Sequence, residues 1–247
     1  MPKEVTRTFD VLDRILELYP RTDALGGKRG NEWYTYSTQE YYTKAHQFAL
    51  GLMAMGMVKG EKIATVTNNR PEWNFADMGM AMLGVIHVPV YPTIGEEEYA
   101  YILKHSEARY LITGDAKLTE KLKPVVDTIP HLKTMFCFDE IPGVRFYEEI
   151  LQLGEQNRAK YGEELEKIKA SVQPEDLATI IYTSGTTGVP KWVMLSQRNL
   201  VSNFVSHAKM HHLGYEHRVI SFLPLCHVYE RSVNYHFQYK GMGVYYV

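Results

Sequence analysis

The chain has 247 residues, of which 45% are hydrophobic, 23% charged and 12% aromatic. That length buries a substantial core, and that composition excludes disorder, collagen and coiled coil as readings of the whole chain. With 27 Lys and Arg against 29 Asp and Glu, the net charge of -2 leaves no global basic field to hold nucleic acid. Cys137 and Cys226 lie far apart without C-x-x-C spacing, which fits a reducing cytosol and argues against a disulfide scaffold. No apolar targeting segment follows Met1. The most apolar stretch, Met78 to Val90, is far short of the ~20 residues that a membrane span needs. A cytoplasmic protein is expected, with weak association to a membrane surface left open.

Strands and helices alternate along the chain. Trp33 to Tyr36 is a β-prone aromatic run. Ser37 and Glu40 then have the spacing of a capping box. Tyr41, Ala45, Phe48, Leu52 and Met55 recur at helical spacing, with Gly56 as the stop. Ile63 to Thr67 reads as a buried strand, and Pro71 fits the first turn of a second helix. Val85 to Tyr91 and Tyr110 to Thr113 are strands. A helix follows from about Ala116 to Val126, and Thr134 to Phe138 is again a strand. Alternation of this kind predicts βαβ units, with mostly parallel sheets and helices on both faces. Glu148 to Val172 is dense in Glu and Lys and reads as a solvated surface helix bridging two subdomains. A first α/β subdomain is therefore expected over residues 1–172. A second, incomplete one begins at 173.

The chemistry concentrates after Leu177 to Tyr182, a buried strand. Thr183, Ser184, Gly185, Thr186, Thr187 and Gly188 are six consecutive small residues, with Lys191 three positions on. Glycines in such a turn allow close backbone approach, and successive N–H groups form an anion-binding nest. Short hydroxyls and a lysine suit polyphosphate. The pattern is not a phosphate loop of the G-x-x-x-x-G-K-[ST] kind, because Val189 and Pro190 precede the lysine and Val193 to Leu195 reads as a returning strand. Residue types alone leave a Gly/Ser/Thr-rich surface turn as the plainer alternative. Ser196 is a candidate N-cap for a helix burying Leu200, Val201, Phe204, Val205 and Ala208. His207 and His211 lie at i,i+4, a spacing that can ligate zinc, but no third ligand is placed and a solvated helix face is the expectation. No metal site is assigned.

Tyr182 to Lys191 resembles the phosphate-binding signature of the adenylate-forming superfamily, Y-T-S-G-T-T-G-x-P-K-G. Phe222 to Arg231 resembles the L-P-L-x-H-x-x-E-R block of its long-chain fatty acyl-CoA ligases. Asn69 to Trp73 and Val88 to Thr93 are similar to that branch too. The resemblance implies part of the large N-terminal domain of a ligase that joins a fatty acid to coenzyme A through an acyl-adenylate. Thr183 to Gly188 and Lys191 would hold the phosphates of ATP. His227 would sit where acyl and adenylate sites meet; by residue type alone it is a hydrogen-bonded core histidine. Glu230 and Arg231 read as an ion pair, structural or functional. The partners implied are fatty acid, ATP and CoA; the oligomeric state is not readable. Trp192 departs from the family's Gly, and the bulky indole puts Lys191's placement in question. Gln197 replaces a common His. The family's adenine-binding blocks, its Y-G-x-T-E glutamate for Mg²⁺ and its late lysine are expected downstream of this sequence. The chain is therefore expected to be inactive alone. The alternative is a truncated, non-catalytic module that binds an acyl chain or a partner.

Overall fold

The computed structural model describes residues 4–183, 190–210 and 212–247. In chain order the described elements are α1 (Asp10–Leu18), β1 (Leu25–Arg29), β2 (Glu32–Tyr36), α2 (Thr38–Ala54), β3 (Lys62–Val66), α3 (Pro71–Leu83), β4 (Ile86–Val90), α4 (Glu96–Ser106), β5 (Tyr110–Thr113), α5 (Ala116–Val126), β6 (Thr134–Cys137) and β7 (Arg145–Phe146). There follow α6 (Glu148–Gln156), α7 (Arg158–Ser171), β8 (Leu177–Thr183), β9 (Lys191–Ser196), α8 (Gln197–Ala208), β10 (Arg218–Ser221), α9 (Val228–Tyr239) and β11 (Gly243–Tyr246).

Two sheets organise these elements. One has seven strands in the order β7-β6-β5-β3-β4-β8-β9, all parallel except β9, which returns antiparallel to β8. The other has the order β10-β11-β1-β2 and is parallel except for the β1–β2 hairpin. Side chains alternate across each strand. Ala64, Val66, Ile86, Val88 and Val90 therefore face one side, packing with Leu103 of α4 and Leu122 of α5. Ile63 and Ile112 face the other, packing into a core that holds α2, α3 and α6. Helices thus cover both faces, as the strand–helix alternation predicts.

Local signals account for most boundaries. Ser37 and Glu40 close the capping box on α2, and Gly56 adopts φ 74° just past its end. Pro71 opens α3. Every residue of α3 is buried, so the helix lies inside the molecule and touches β1 of one sheet and β4 of the other. Such a helix must satisfy its polar residues internally, and Glu72, Asn74 and Asp77 set up the site below.

The stretch 148–172 differs from a single solvated helix. It breaks at Asn157 into α6 and α7. α7 is largely exposed, but α6 buries Ile150, Leu151 and Gly154 against α2. A Cβ on Gly154 would lie 1.9 Å from the Gln47 carbonyl oxygen, and one on Gly51 would lie 2.0 Å from that of Ile150. The two helices meet backbone to backbone, a contact that charge density along the sequence does not reveal. Residue 172 falls between α7 and β8. Both sheets draw strands from either side of it, since β8 and β9 join the first sheet and β11 pairs with β1.

Candidate active site

β8 is buried from Ala178 to Tyr182 and emerges at Thr183, while β9 starts at Lys191. The two residues pair across the ladder, and the Thr183 hydroxyl donates to the Lys191 carbonyl at 3.5 Å. The loop between them does join two antiparallel strands. Ser184, Gly185, Thr186, Thr187 and Gly188 lie outside the described residues.

Trp192 pairs with Tyr182 across the ladder. Its ring lies 4.4 Å from that of His105 on α4, and the Tyr182 hydroxyl is 2.7 Å from His105 Nδ1. Burial pushes the Tyr182 phenol up to about 12. The indole therefore rests on the α4 face of the sheet. Strand alternation sends the Lys191 side chain to the opposite face, so the indole's packing leaves the lysine clear.

A cavity of about 280 Å³ opens at the carboxyl ends of β4 and β8. That is the edge where open α/β sheets place ligands. Tyr91, Ile94 and Ile102 form an apolar wall, and Thr183, Tyr182 and His227 bring polar atoms to it. His227 is the N-cap of α9. Its Nδ1 accepts from the Tyr229 amide at 3.2 Å, and its ring stands edge-on to Tyr91 with 6.4 Å between centroids. The side chain is exposed rather than a core histidine. The structure thus brings Thr183 and His227 to one cavity. Cys226 next to it is buried, and burial pushes its thiol up to about 12, which makes it a poor nucleophile.

Glu230 and Arg231 do not pair with each other. Successive helix positions diverge by about 100°, and the two side chains go to different partners. Glu230 accepts from Ser221 at 2.5 Å, and burial pushes its carboxyl upward. Arg231 donates to Asp77 at 2.6 Å and to Thr179 of β8 at 2.7 Å. Asp77 also accepts from His87 Nδ1 at 2.7 Å and from the Tyr235 hydroxyl. Burial alone would raise the Asp77 carboxyl. The Arg231 charge and the hydrogen bonds from His87 and Tyr235 prevail and hold it below its ordinary value. Burial, chiefly, pushes His87 below its ordinary value, so the ring is neutral, with Nδ1–H toward Asp77 and Nε2 toward the Thr65 hydroxyl at 2.8 Å. Trp73 lies against both Arg231 and His87.

This buried hub was not identified from sequence. The signal is polar residues set in an otherwise apolar helix, Glu72, Asn74 and Asp77. Asn74 anchors a second chain of hydrogen bonds to Asn234, Gln238 and Tyr246. Asn69 ties the turn before α3 to the segment leading to His227. It accepts from the Leu225 amide at 2.9 Å and donates to the Leu223 carbonyl at 2.7 Å.

Among the described residues no group of three or more His, Cys, Asp or Glu side chains could hold a metal ion. His207 faces His236 instead, and His211 lies outside the described residues. No described helix is long and apolar enough to cross a membrane.

A mostly parallel α/β fold, with a Gly/Ser/Thr loop joining two antiparallel strands beside a histidine-capped helix, defines the large domain of an adenylate-forming enzyme. The chain belongs to the AMP-binding enzyme family, which it matches over residues 12–247. It is 31% identical over 220 residues to the long-chain-fatty-acid–CoA ligase ACSBG2 of Xenopus laevis, covering 85% of this chain and 29% of the relative. It is 34% identical over 223 residues to fatty acyl-CoA synthetase A of Dictyostelium discoideum, covering 84% and 31%. The chain thus spans about 30% of the length of these curated relatives. The crystal structure of a long-chain-fatty-acid-CoA ligase (FadD1) from Archaeoglobus fulgidus superposes with a TM-score of 0.82 at 22% identity, over 99% of this chain and 47% of that one. An anthranilate CoA ligase (AuaEII) in complex with anthranoyl-AMP superposes with a TM-score of 0.78 at 20% identity, over 97% and 44%.

Proposed function

We propose that this chain provides the phosphate grip and one wall of the acyl pocket of an ATP-dependent fatty acyl-CoA ligase, and that it does not turn over alone. The observation that carries this reading is the meeting of Thr183 and His227 at one cavity, with Lys191 paired to Thr183 across the ladder. In the reaction a fatty carboxylate attacks the α-phosphate of ATP and pyrophosphate leaves. The CoA thiol then attacks the acyl carbon and AMP leaves. Thr183 to Gly188 donate to the β- and γ-phosphates as charge redistributes, and Lys191 adds a cation. His227 stands where the acyl carboxylate meets the phosphate. Mg²⁺ would screen the phosphates; its ligand is expected in sequence beyond residue 247. A cytoplasmic location with weak membrane-surface contact fits the substrate, and the division at residue 172 belongs to the same proposal as a boundary along the sequence, since both sheets draw strands from either side of it.

The test is fatty-acid-dependent ATP–pyrophosphate exchange by the purified 247-residue protein, together with calorimetric titration of pyrophosphate. No exchange is expected, and pyrophosphate binding should weaken in Lys191→Ala. Exchange above background overturns the inactivity, and equal binding in the variant overturns the role of Lys191. A second reading is a non-catalytic acyl- or partner-binding module, suggested by Trp192 in place of the family's glycine; the indole's packing on His105, clear of Lys191, weakens it. A reading frame that continues with Y-G-x-T-E and a late lysine decides for the enzyme; a stop after Val247 decides for the module.

A further inference from the structure

We infer that α7 is held to the domain by an acid-sensitive latch, in which the Lys169 ammonium donates to the neutral imidazole of His46 on α2 and a second proton on that ring frees the helix. The inference is independent of the ligase reading. α7 is weakly anchored. Of its 14 residues, Leu165 and Lys169 are the buried ones, and a helix with so little buried apolar surface belongs to the low-stability end of a fold. A lysine is almost never buried unless it is paired. Lys169 is 8% exposed, with Nζ 3.1 Å from His46 Nε2 and 2.9 Å from Glu166 Oε1. The Arg7 guanidinium, itself paired with Asp10, donates to the Lys169 carbonyl at 2.6 Å. The C-terminal turn of α7 is therefore its fixed end, and the histidine lies beneath it.

Geometry sets the tautomer. An ammonium only donates, and a carbonyl only accepts. His46 Nδ1 lies 2.8 Å from the Tyr42 carbonyl oxygen, so Nδ1 carries the hydrogen and Nε2 offers its lone pair to Lys169. A second proton would go on Nε2. It would remove the acceptor and set two cations 3.1 Å apart, where repulsion in a buried site is strong. The groups that could offset it are few. Glu166 is 63% exposed and already pairs with Lys169, and Asp13 on α1 adds a weaker attraction. Tyr42, stacked on the ring at 4.1 Å, stays neutral because burial pushes its phenol up. Burial first, and then Lys169, hold the ring below its ordinary value. Relief comes when His46 and Lys169 part. α7 can move away without breaking a sheet, because it contributes no strand to either. It leads into β8, which ends at Thr183, so the latch lies just upstream of the strand that reaches the candidate site.

Amide hydrogen exchange on the 247-residue protein at pH 7.5 and 5.5 tests this, read as protection factors so that the intrinsic pH dependence of exchange drops out. At both values the α7 amides should be much less protected than those of β3 and β4, because the helix opens by itself. Once opened, His46 titrates near its ordinary value of about 6.5 and takes up a proton that the closed state refuses. The opening constant of α7 should therefore rise several-fold at pH 5.5, with a ceiling of about tenfold. His46→Gln, whose amide oxygen can still accept from Lys169 but does not titrate, should abolish the rise, and Lys169→Met should shrink it. The proposal is overturned if α7 opens only together with the strands, if its protection changes by less than about twofold between the two pH values, or if His46→Gln responds like the wild type. A full response in Lys169→Met refutes the lysine's part in the latch.

Discussion

Asp77→Ala tests the energetics of the buried hub. In the folded protein Asp77 is 2% exposed, and so is Arg231. The substitution removes the acceptor of the Arg231 bond at 2.6 Å, the His87 bond at 2.7 Å and the Tyr235 bond. Among the described residues the guanidinium keeps as acceptors the Thr179 and Tyr235 oxygens, both neutral. A buried charge stripped of its partner typically costs about 3–5 kcal/mol, whereas replacing the whole pair with apolar groups of similar volume is often near neutral. Against a typical total stability of about 5–15 kcal/mol, the single variant should lose a large share. Urea denaturation of Asp77→Ala, Arg231→Met and Asp77→Leu/Arg231→Met measures this. Each single variant should cost about 3–5 kcal/mol, and the double variant should cost well under the sum. A cost below about 1 kcal/mol for Asp77→Ala, or additivity in the double variant, would refute the view that Asp77 is there to neutralise Arg231.

Four further outcomes follow from the same geometry. Burial holds His87 below its ordinary value, and burial together with Lys169 does the same to His46. The folded state therefore binds fewer protons than the unfolded one as pH falls below the ordinary histidine value of about 6.5. Urea midpoints should drop from pH 7.5 to 5.5, and His87→Gln should flatten that slope. Asp77, held low, adds stability above its ordinary value that is lost only in more acid solution. Gly154→Ala should cost about 1–3 kcal/mol or more by prising α6 from α2, while Gly162→Ala in α7, where a Cβ meets nothing within 4 Å, should stabilise by about 0.5–1 kcal/mol; thermal melts compare the two. Ser196→Ala removes the cap whose oxygen accepts from the Asn199 amide at 3.2 Å and should cost about 1 kcal/mol, read by denaturation. Trp192→Gly should leave pyrophosphate affinity within about twofold by calorimetry, since the indole packs on His105 rather than beside the lysine.

What could be read from the sequence was what short-range chemistry specifies. The capping box at Ser37, the N-cap at Ser196, the proline opening α3, the strand over Leu177 to Tyr182 and its return are each written within a few residues. His227 was placed by motif, and the structure puts it at the cavity mouth rather than in the core. What stayed hidden was set by distant partners. Asp77 and Arg231 are 154 positions apart, and adjacency made Glu230 look like the arginine's partner. The backbone contact of Gly51 and Gly154 is likewise invisible in a charged stretch that reads as solvated. Ser184 to Gly188 of the Gly/Ser/Thr loop lie outside the described residues.

The hub explains why the strand leading to the Gly/Ser/Thr loop and the helix carrying His227 can act as one scaffold. Thr179 precedes Thr183 by four residues along β8, and Arg231 follows His227 by one helical turn along α9. The Arg231–Thr179 bond therefore ties the two elements at a fixed depth below the cavity. From the side, Asn69 fixes Leu223 and Leu225, and Ser221 holds Glu230. His227 is thus exposed at its ring yet constrained at its backbone, whose carbonyl accepts from the Arg231 amide at 3.0 Å. In the proposed reaction His227 would gain from such constraint, because the ordering is completed in folding and not at the moment of reaction. A buried pair of uncertain net value to stability is understandable at this position as the device that sets where α9 begins.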